Sequence, residues 1–374
     1  MPPKAGPAAR RGAVTGYMFK LIRESVPASQ ERLAAHLGID RATVQSWESG
    51  RRPFTSVGFG QAIAVRHKLI QLGADAQLLS MLDEAAEADY LLELIIDADP
   101  ATLDVDQHPL GWTVLTHSLT EMLAWAVIGQ EPARLQGHYR PAHRRGPSPS
   151  APSLESTEAR AFFDNLHVIA DRTGQRDSTN MLLHRQACFL ASLDLTGRTA
   201  DWLSSTRRST FPSTFHGWSP MWPDARSIAT SLAKHGDPQP LRDFIARAHP
   251  DDACELAGLN YSAYWVGDVR HRQHHDTFMP DPALSWRGGR LLRHLVERLD
   301  ADHPFVDLNI HSLWALLTAR QHLAQDEPHL GTELLRRAAE VLDTDMISPQ
   351  SRRELTSILY GLRMSGVREP GTGR

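Results

Sequence analysis

The sequence predicts an all-α protein made of two or three domains. Three observations carry this expectation. Between residues 156 and 366, stretch after stretch repeats its apolar positions at helical spacing, with Pro, Gly and Asp breaks between them. Runs rich in β-branched residues with alternating polarity are scarce. The length, 374 residues, exceeds what one small domain uses, and a hydrophobic share of 41% supplies real cores.

Taken in order, residues 1–13 (MPPKAGPAARRGA) are rich in Pro, Ala, Gly and Arg and are expected to be a disordered basic tail. Lys4, Arg10 and Arg11 in it suit either a loose tail or an arm that enters a minor groove. Residues 14–70 read as four or five short helices. The first carries Phe19, Leu21, Ile22 and Val26, and the last, from about Val57, carries Ile63, Val65 and Leu69. Residues 71–136 are expected to be acidic linker or dimerisation helices. Their first part, 74–98, reads as one long amphipathic helix with Leu78, Leu82, Leu91, Leu92, Ile95 and Ile96 in its stripe. That stripe should pack on a second domain or on its own copy. Residues 137–153 (GHYRPAHRRGPSPSAPS) hold four prolines and three arginines and predict a flexible loop. Residues 154–366 should be a helical array, either a solenoid of paired helices resembling tetratricopeptide repeats or an irregular one. A short tail, 367–374, is expected to be disordered.

Charge separates these regions. Residues 1–70 hold 11 Lys/Arg against 4 Asp/Glu, and the remainder holds 29 against 40. A basic front on an acidic body is the pattern of a chain whose front meets a polyanion. Arg outnumbers Lys 36 to 4, a bias of GC-rich bacterial genomes that says nothing of mechanism. No apolar run reaches the length of about 18 residues that a membrane helix needs. The start of the chain lacks the apolar centre of a signal peptide. The expected location is therefore cytoplasmic. Cys188 and Cys254 are too few for a disulfide framework or a four-cysteine zinc site.

The most informative stretch is SQERLAAHLGIDRATVQSWESGRRP, residues 29–53. Counting from Gln30, small Ala34 falls where a second helix would cross closely. Gly38 falls where the chain must turn sharply with positive φ. Leu33, Leu37, Ile39, Val44 and Trp47 fall where a small core would fix the crossing angle, and Ser29 and Asp40 stand at N-cap positions. Any helical hairpin meets two of these constraints by chance; this one meets them together in the basic part of the chain.

The stretch resembles the Cro/CI-type (XRE-type) helix-turn-helix, whose pattern runs Ser-Gln-Glu-x-Leu-Ala-x-x-Leu-Gly and closes on aromatic, Glu, x, Gly, basic, x, Pro. The resemblance covers about residues 15–70. It implies a lambda-repressor-like domain whose third helix lies in the major groove, and a transcriptional regulator that binds inverted repeats as a dimer. On that reading Arg41, Ala42, Thr43, Gln45 and Ser46 face outward on the recognition helix. Gln45 suits adenine, Arg41 suits guanine or a phosphate, and Thr43 offers a methyl to thymine. Ser29, Gln30, Arg51 and Arg52 are expected on the phosphate backbone. Glu48 reads as structural, paired with an arginine of the first helix such as Arg23. Residues 71–374 carry only a loose likeness to the helical-repeat sensor domains of peptide-responsive regulators.

Other constellations are weaker. HRQHHDTF sets His271 and His275 four apart, which on a helix would suit a metal, but the Glu of a His-Glu-x-x-His site is missing. A solvated or pH-sensitive histidine cluster is the simpler reading. Gly58-Phe59-Gly60 lacks the third glycine and the preceding strand of a dinucleotide loop. Trp202, Trp218, Trp222, Trp265, Trp286 and Trp314 suit ordinary cores better than a ligand groove. No catalytic motif, cofactor or metal is expected. The functional expectation is a sequence-specific DNA-binding regulator, with double-stranded DNA and a second copy as partners and a peptide or small molecule as effector. The alternative is an interaction scaffold with a DNA-tethering head and no ligand response. An enzyme with such a head comes third.

Overall fold

The computed structural model describes residues 12–26, 28–136, 138, 151–174, 180–210, 217–248 and 252–365. Residues 1–11 of the expected basic tail, all but a few residues of the expected 137–153 loop, and the expected C-terminal tail lie outside the described residues; Ala13, expected in that tail, is the first residue of the first helix. Among the described residues every regular element is helical. No helix among them is long and apolar enough to cross a membrane. The chain divides into two compact units: residues 1–103 with 117–168, and residues 104–116 with 169–374.

Unit 1 contains α1 (Ala13–Ser25), α2 (Gln30–Leu37), α3 (Arg41–Glu48), α4 (Phe59–Gln71), α5 (Ala76–Ser80), α6 (Leu82–Ile96) and α7 (His117–Ile128). The next helix, α8 (Ser156–Thr173), contains the point where the division falls. Helix α1 is buried on nearly all sides, from Val14 to Arg23. Phe19, Trp47 and Phe54 form an aromatic cluster with centroids 5.3–5.5 Å apart, and Tyr17 meets Trp125 edge-on at 5.1 Å. Such pairs add to the hydrophobic gain of burying large rings.

Residues 74–98 differ from the single helix expected. Asp75 caps α5 through Gln77 N (2.7 Å), and a turn at Met81 separates α5 from α6. There the N–H of Met81 bonds to Leu78 O, three residues back, the tight geometry in which a helix often ends. The apolar stripe is also covered differently from the expectation. Leu82, Ala85, Ala88, Leu91, Leu92 and Ile95 are buried inside unit 1, where α6 packs along α1 and α7. Asn165 of α8 closes the end of α6 by donating to Ile95 O, Ile96 O and Ala98 O. Carbonyls at a helix C-terminus lack the N–H groups of a following turn; Ile95 O also receives Ala98 N at 3.4 Å.

Unit 2 contains α9 (Met181–Ala191), α10 (Gly197–Thr210), α11 (Met221–Lys234), α12 (Gln239–Ala248), α13 (Asp252–Trp265), α14 (Gly289–Glu297), α15 (Val306–Ala319), α16 (Leu323–Asp326), α17 (Pro328–Leu342) and α18 (Pro349–Met364). Its core runs from Trp222 and Phe244 through Tyr264 and Leu292 to Leu355. Helix α15 is surrounded by α12, α13, α14 and α18. In a regular stack each helix pair meets only its neighbours. The pattern around α15 follows the irregular alternative more closely.

Candidate nucleic-acid interface

The α2–α3 pair is built as its spacing predicts. Ser29 caps α2 by accepting from Arg32 N at 3.2 Å. Gly38 takes φ +66°, and the N–H groups of Gly38 and Ile39 close the end of α2 on Ala35 O and Ala34 O. An added Cβ at Gly38 meets nothing within 4 Å, so glycine is needed there for its backbone angle and not for space. Asp40 stands at the N-cap of α3, but its side chain makes no cap bond; its carbonyl receives Thr43 N at 2.9 Å.

Helix α3 buries Val44, Trp47 and Glu48 and leaves the rest of its surface to solvent. Arg41, Ala42 and Gln45 are exposed; Thr43 and Ser46 are partly buried. Beside α3 stand exposed Ser29, at the start of α2, and exposed Arg51 and Arg52, in the turn that follows α3. Arg51 Nε donates to Ser49 Oγ at 3.3 Å, and Arg52 N bonds to Ser46 O at 3.2 Å, which holds that turn against the end of α3. Of the sequence-predicted residues, Ser29, Arg41, Ala42, Gln45, Arg51 and Arg52 are exposed, Thr43 and Ser46 are partly buried, and Gln30 is bound to Glu48.

Glu48 organises the inner side. Its carboxylate receives Arg23 Nε and Arg23 Nη2 from α1, and Gln30 Nε2 from α2 at 2.6 Å. One buried anion therefore ties three helices together. Burial works against the Arg23 charge, but the hydrogen bonds and charge of Glu48 outweigh it and hold the guanidinium above its ordinary value. The Arg23–Glu48 pair was readable from the sequence, whereas Gln30 as its third member was not. Nothing in a local pattern links positions 18 apart in separate helices.

One backbone contact sets α3 against α1, and a buried carboxylate holds α1 on α6. An added Cβ at Gly16 would land on the carbonyl oxygen of Trp47, so the two helices touch through backbone there. At the N-terminus of α1, Asp89 of α6 accepts from Val14 N at 3.0 Å and from Thr15 N at 2.8 Å. A carboxylate suits a helix N-terminus electrostatically, yet burial dominates and pushes Asp89 up to about 6.

Elsewhere, the histidine segment is not helical. His271, His274 and His275 lie in an irregular loop, His274 Nδ1 is 3.0 Å from Trp112 O, and Asp276 is bound to Arg185. The four-residue spacing therefore does not become one ligating face. Among the described residues no group of three His, Cys, Asp or Glu side chains is placed to hold a metal. Sequence reasoning missed a second constellation. His184 sits 2.6 Å from Asp224 through Nδ1 and 3.7 Å from Cys188 Sγ through Nε2. The order thiol, imidazole, carboxylate matches an activated nucleophile. All three are buried, however, and burial raises the Cys188 thiol above its usual value. The arrangement is a sealed polar cluster of the unit 2 core. The i,i+4 spacing of His184 and Cys188 was its only sequence signal.

No family model, curated protein or solved structure matches this chain.

Proposed function

We propose that the chain is a sequence-specific DNA-binding transcriptional regulator that acts through the outward face of α3. One observation carries this reading. Helix α3 is held rigidly on its inner side by Val44, Trp47 and the Glu48 hub. Its outer side presents a guanidinium, a carboxamide and a hydroxyl, the groups that read base edges. A short helix anchored so firmly, with its polar face outward and arginines beside it, is suited to enter a major groove.

In this reading Arg41, Ala42, Thr43, Gln45 and Ser46 meet bases, and Ser29, Arg51 and Arg52 meet phosphates. Gln30 contributes through Glu48 by setting the angle of α2. The protein acts as a homodimer on an inverted repeat, its heads about 34–36 Å apart or a multiple of that. Phe59, Ile63 and Ile70 stand exposed on α4, as a helix awaiting a partner would have them. Unit 2 receives the signal that alters operator affinity.

The test is selection of bound sites from randomised duplex DNA with the full chain, followed by affinity against salt. A palindromic winner whose log affinity falls steeply with log salt supports the proposal. Absence of any enriched sequence, together with a salt slope equal to that of random DNA, overturns it.

A further inference from the structure

Helix α4 is anchored by very little of its own length. Of its 13 residues only Val65 and Leu69 are buried. A surface helix ordinarily turns about three to four apolar residues in every two turns toward a core. The other large apolar residues of α4 face away from unit 1: Phe59 is 83% exposed, Ile63 39% and Ile70 55%. No other helix among the described residues exposes three large apolar side chains. Single exposed apolar residues are ordinary, but a row of them on one helix marks a surface that another molecule covers.

The row has a defined pattern. Gly60, Ile63, His67 and Ile70 are all exposed and fall three, four and three residues apart. That is the a, d, a, d spacing of two successive heptads. Phe59 and Ala64 flank the row, and no Asp, Glu, Lys or Arg of α4 is fully exposed on this face. Such depletion of charge is the mark of an interface centre. Arg66, on the inner side, is already tied to Asp83 at 3.1 Å. An added Cβ at Gly60 meets nothing within 4 Å, so the helix surface is open above that residue. The row fits itself in one orientation only. In a parallel pair like meets like, which leaves a void between two glycines and sets imidazole on imidazole. In an antiparallel pair each a position faces a d position. Gly60 then receives the partner's Ile70, and Ile63 meets the partner's His67. Each bulky aliphatic side chain fills the space beside a smaller or flatter one, and the two-fold axis repeats both contacts.

We infer that this face is an interface between two copies of the chain, in which α4 packs antiparallel on the partner's α4 about a two-fold axis between Ile63 and His67. Self-complementarity selects a second copy as the occupant, because a row whose knobs fit its own holes needs no other protein to fill them. The inference deepens the homodimer proposed above and rests on it, but not on what α3 meets. A helix of 13 residues is about 20 Å long. One pair of such helices stays below the ~1,200 Å2 that a stable interface buries. The pair is therefore a weak one, with a dissociation constant on the order of 10 μM.

The experiment combines sedimentation with disulfide trapping of the full chain. Gly60→Cys and Ile70→Cys are made in separate chains; the native Cys188 and Cys254 are buried and do not compete. Under mild oxidation the mixture of the two should give a covalent dimer, and either chain alone should not. Only the antiparallel pair sets position 60 of one copy against position 70 of the other. Ile63→Glu should raise the dissociation constant about tenfold or more, since it places a charge in the seam. Ile63 lies on the surface of the single chain, so the variant should fold, and circular dichroism verifies it; Ile70→Glu serves as the second variant. Four results overturn the inference: a chain that stays monomeric up to about 300 μM, no covalent dimer from the mixture, a dimer that both glutamate substitutions leave intact, or cysteine chains that cross-link alone as readily as mixed. No DNA enters the test, so its failure is separate from a failure of the site selection.

Discussion

Helices α3 and α9 carry similar polar chemistry and use it in opposite ways. Along α9, nine of eleven residues are buried, among them His184, Arg185, Gln186 and Cys188. Each polar group there has a partner inside unit 2. His184 has Asp224, Arg185 has Asp276, and Gln186 bonds to Leu110 O, Thr113 O and Leu115 N. Along α3, only Val44, Trp47 and Glu48 are buried, and of these only Glu48 belongs to an internal polar network. The outward polar residues of α3 are left to solvent. The comparison teaches how to sort polar residues when no relative guides the choice. Polar groups that are buried and mutually satisfied are architecture, and polar groups displayed from a rigid support are available for a partner.

The comparison predicts where stability and binding separate. The largest effect belongs to the architectural side. Asp276→Ala leaves Arg185 charged and buried, so unit 2 should lose about 3–5 kcal/mol, read as a shifted urea midpoint. A loss within experimental error would place Arg185 among the displayed residues and break the distinction.

Next comes Asp89, an internal group of unit 1. Its carboxyl is raised to about 6 in the fold, against an ordinary value of 3.8. Between these values the folded state keeps a proton that the unfolded state has lost. Stability of unit 1 should therefore fall as pH rises from about 4 through 6, by on the order of 3 kcal/mol. Asp89→Asn should flatten that dependence, as measured by denaturant unfolding across the range. A slope that survives the substitution would assign the dependence to other groups, and native stability that rises over this range would show that the two N–H bonds, and not burial, govern the carboxyl.

On the displayed side, Gln45→Ala should leave the melting temperature almost unchanged. On the proposed function it should weaken specific operator binding by about 1–3 kcal/mol while sparing non-specific binding. The smallest effect is expected of Arg52→Gln. It should lower affinity evenly across sequences and reduce the salt slope by about one. A change in base preference instead would move Arg52 from the phosphates to the bases.

The helical class and most helix positions were legible because periodicity is a local property. The α2–α3 turn was legible for the same reason, since a glycine, a small residue and the Ser29 cap speak within twenty-five residues. What escaped depends on distance in the chain. The break at Met81 is not marked by Pro or Gly. The stripe of α6 could be recognised, but its cover could not, because α1 lies some seventy residues earlier. His271 and His275 kept helical spacing in a segment that tertiary packing holds as a loop.

Gly16 deserves its position for a mechanical reason. Where α1 crosses α3, the contact is backbone on backbone. Side-chain contacts give way by changing rotamer, but this one has no rotamer to change. Asp89 grips the other side of the same helix turn. The line α6–α1–α3 is therefore joined by a backbone contact and a buried carboxylate, neither of which a surface rotamer change can relax. Gly16→Ala would alter the angle at which α3 is offered without removing one atom from its surface. The angle at which α3 is presented thus depends on residues that form no part of its exposed face.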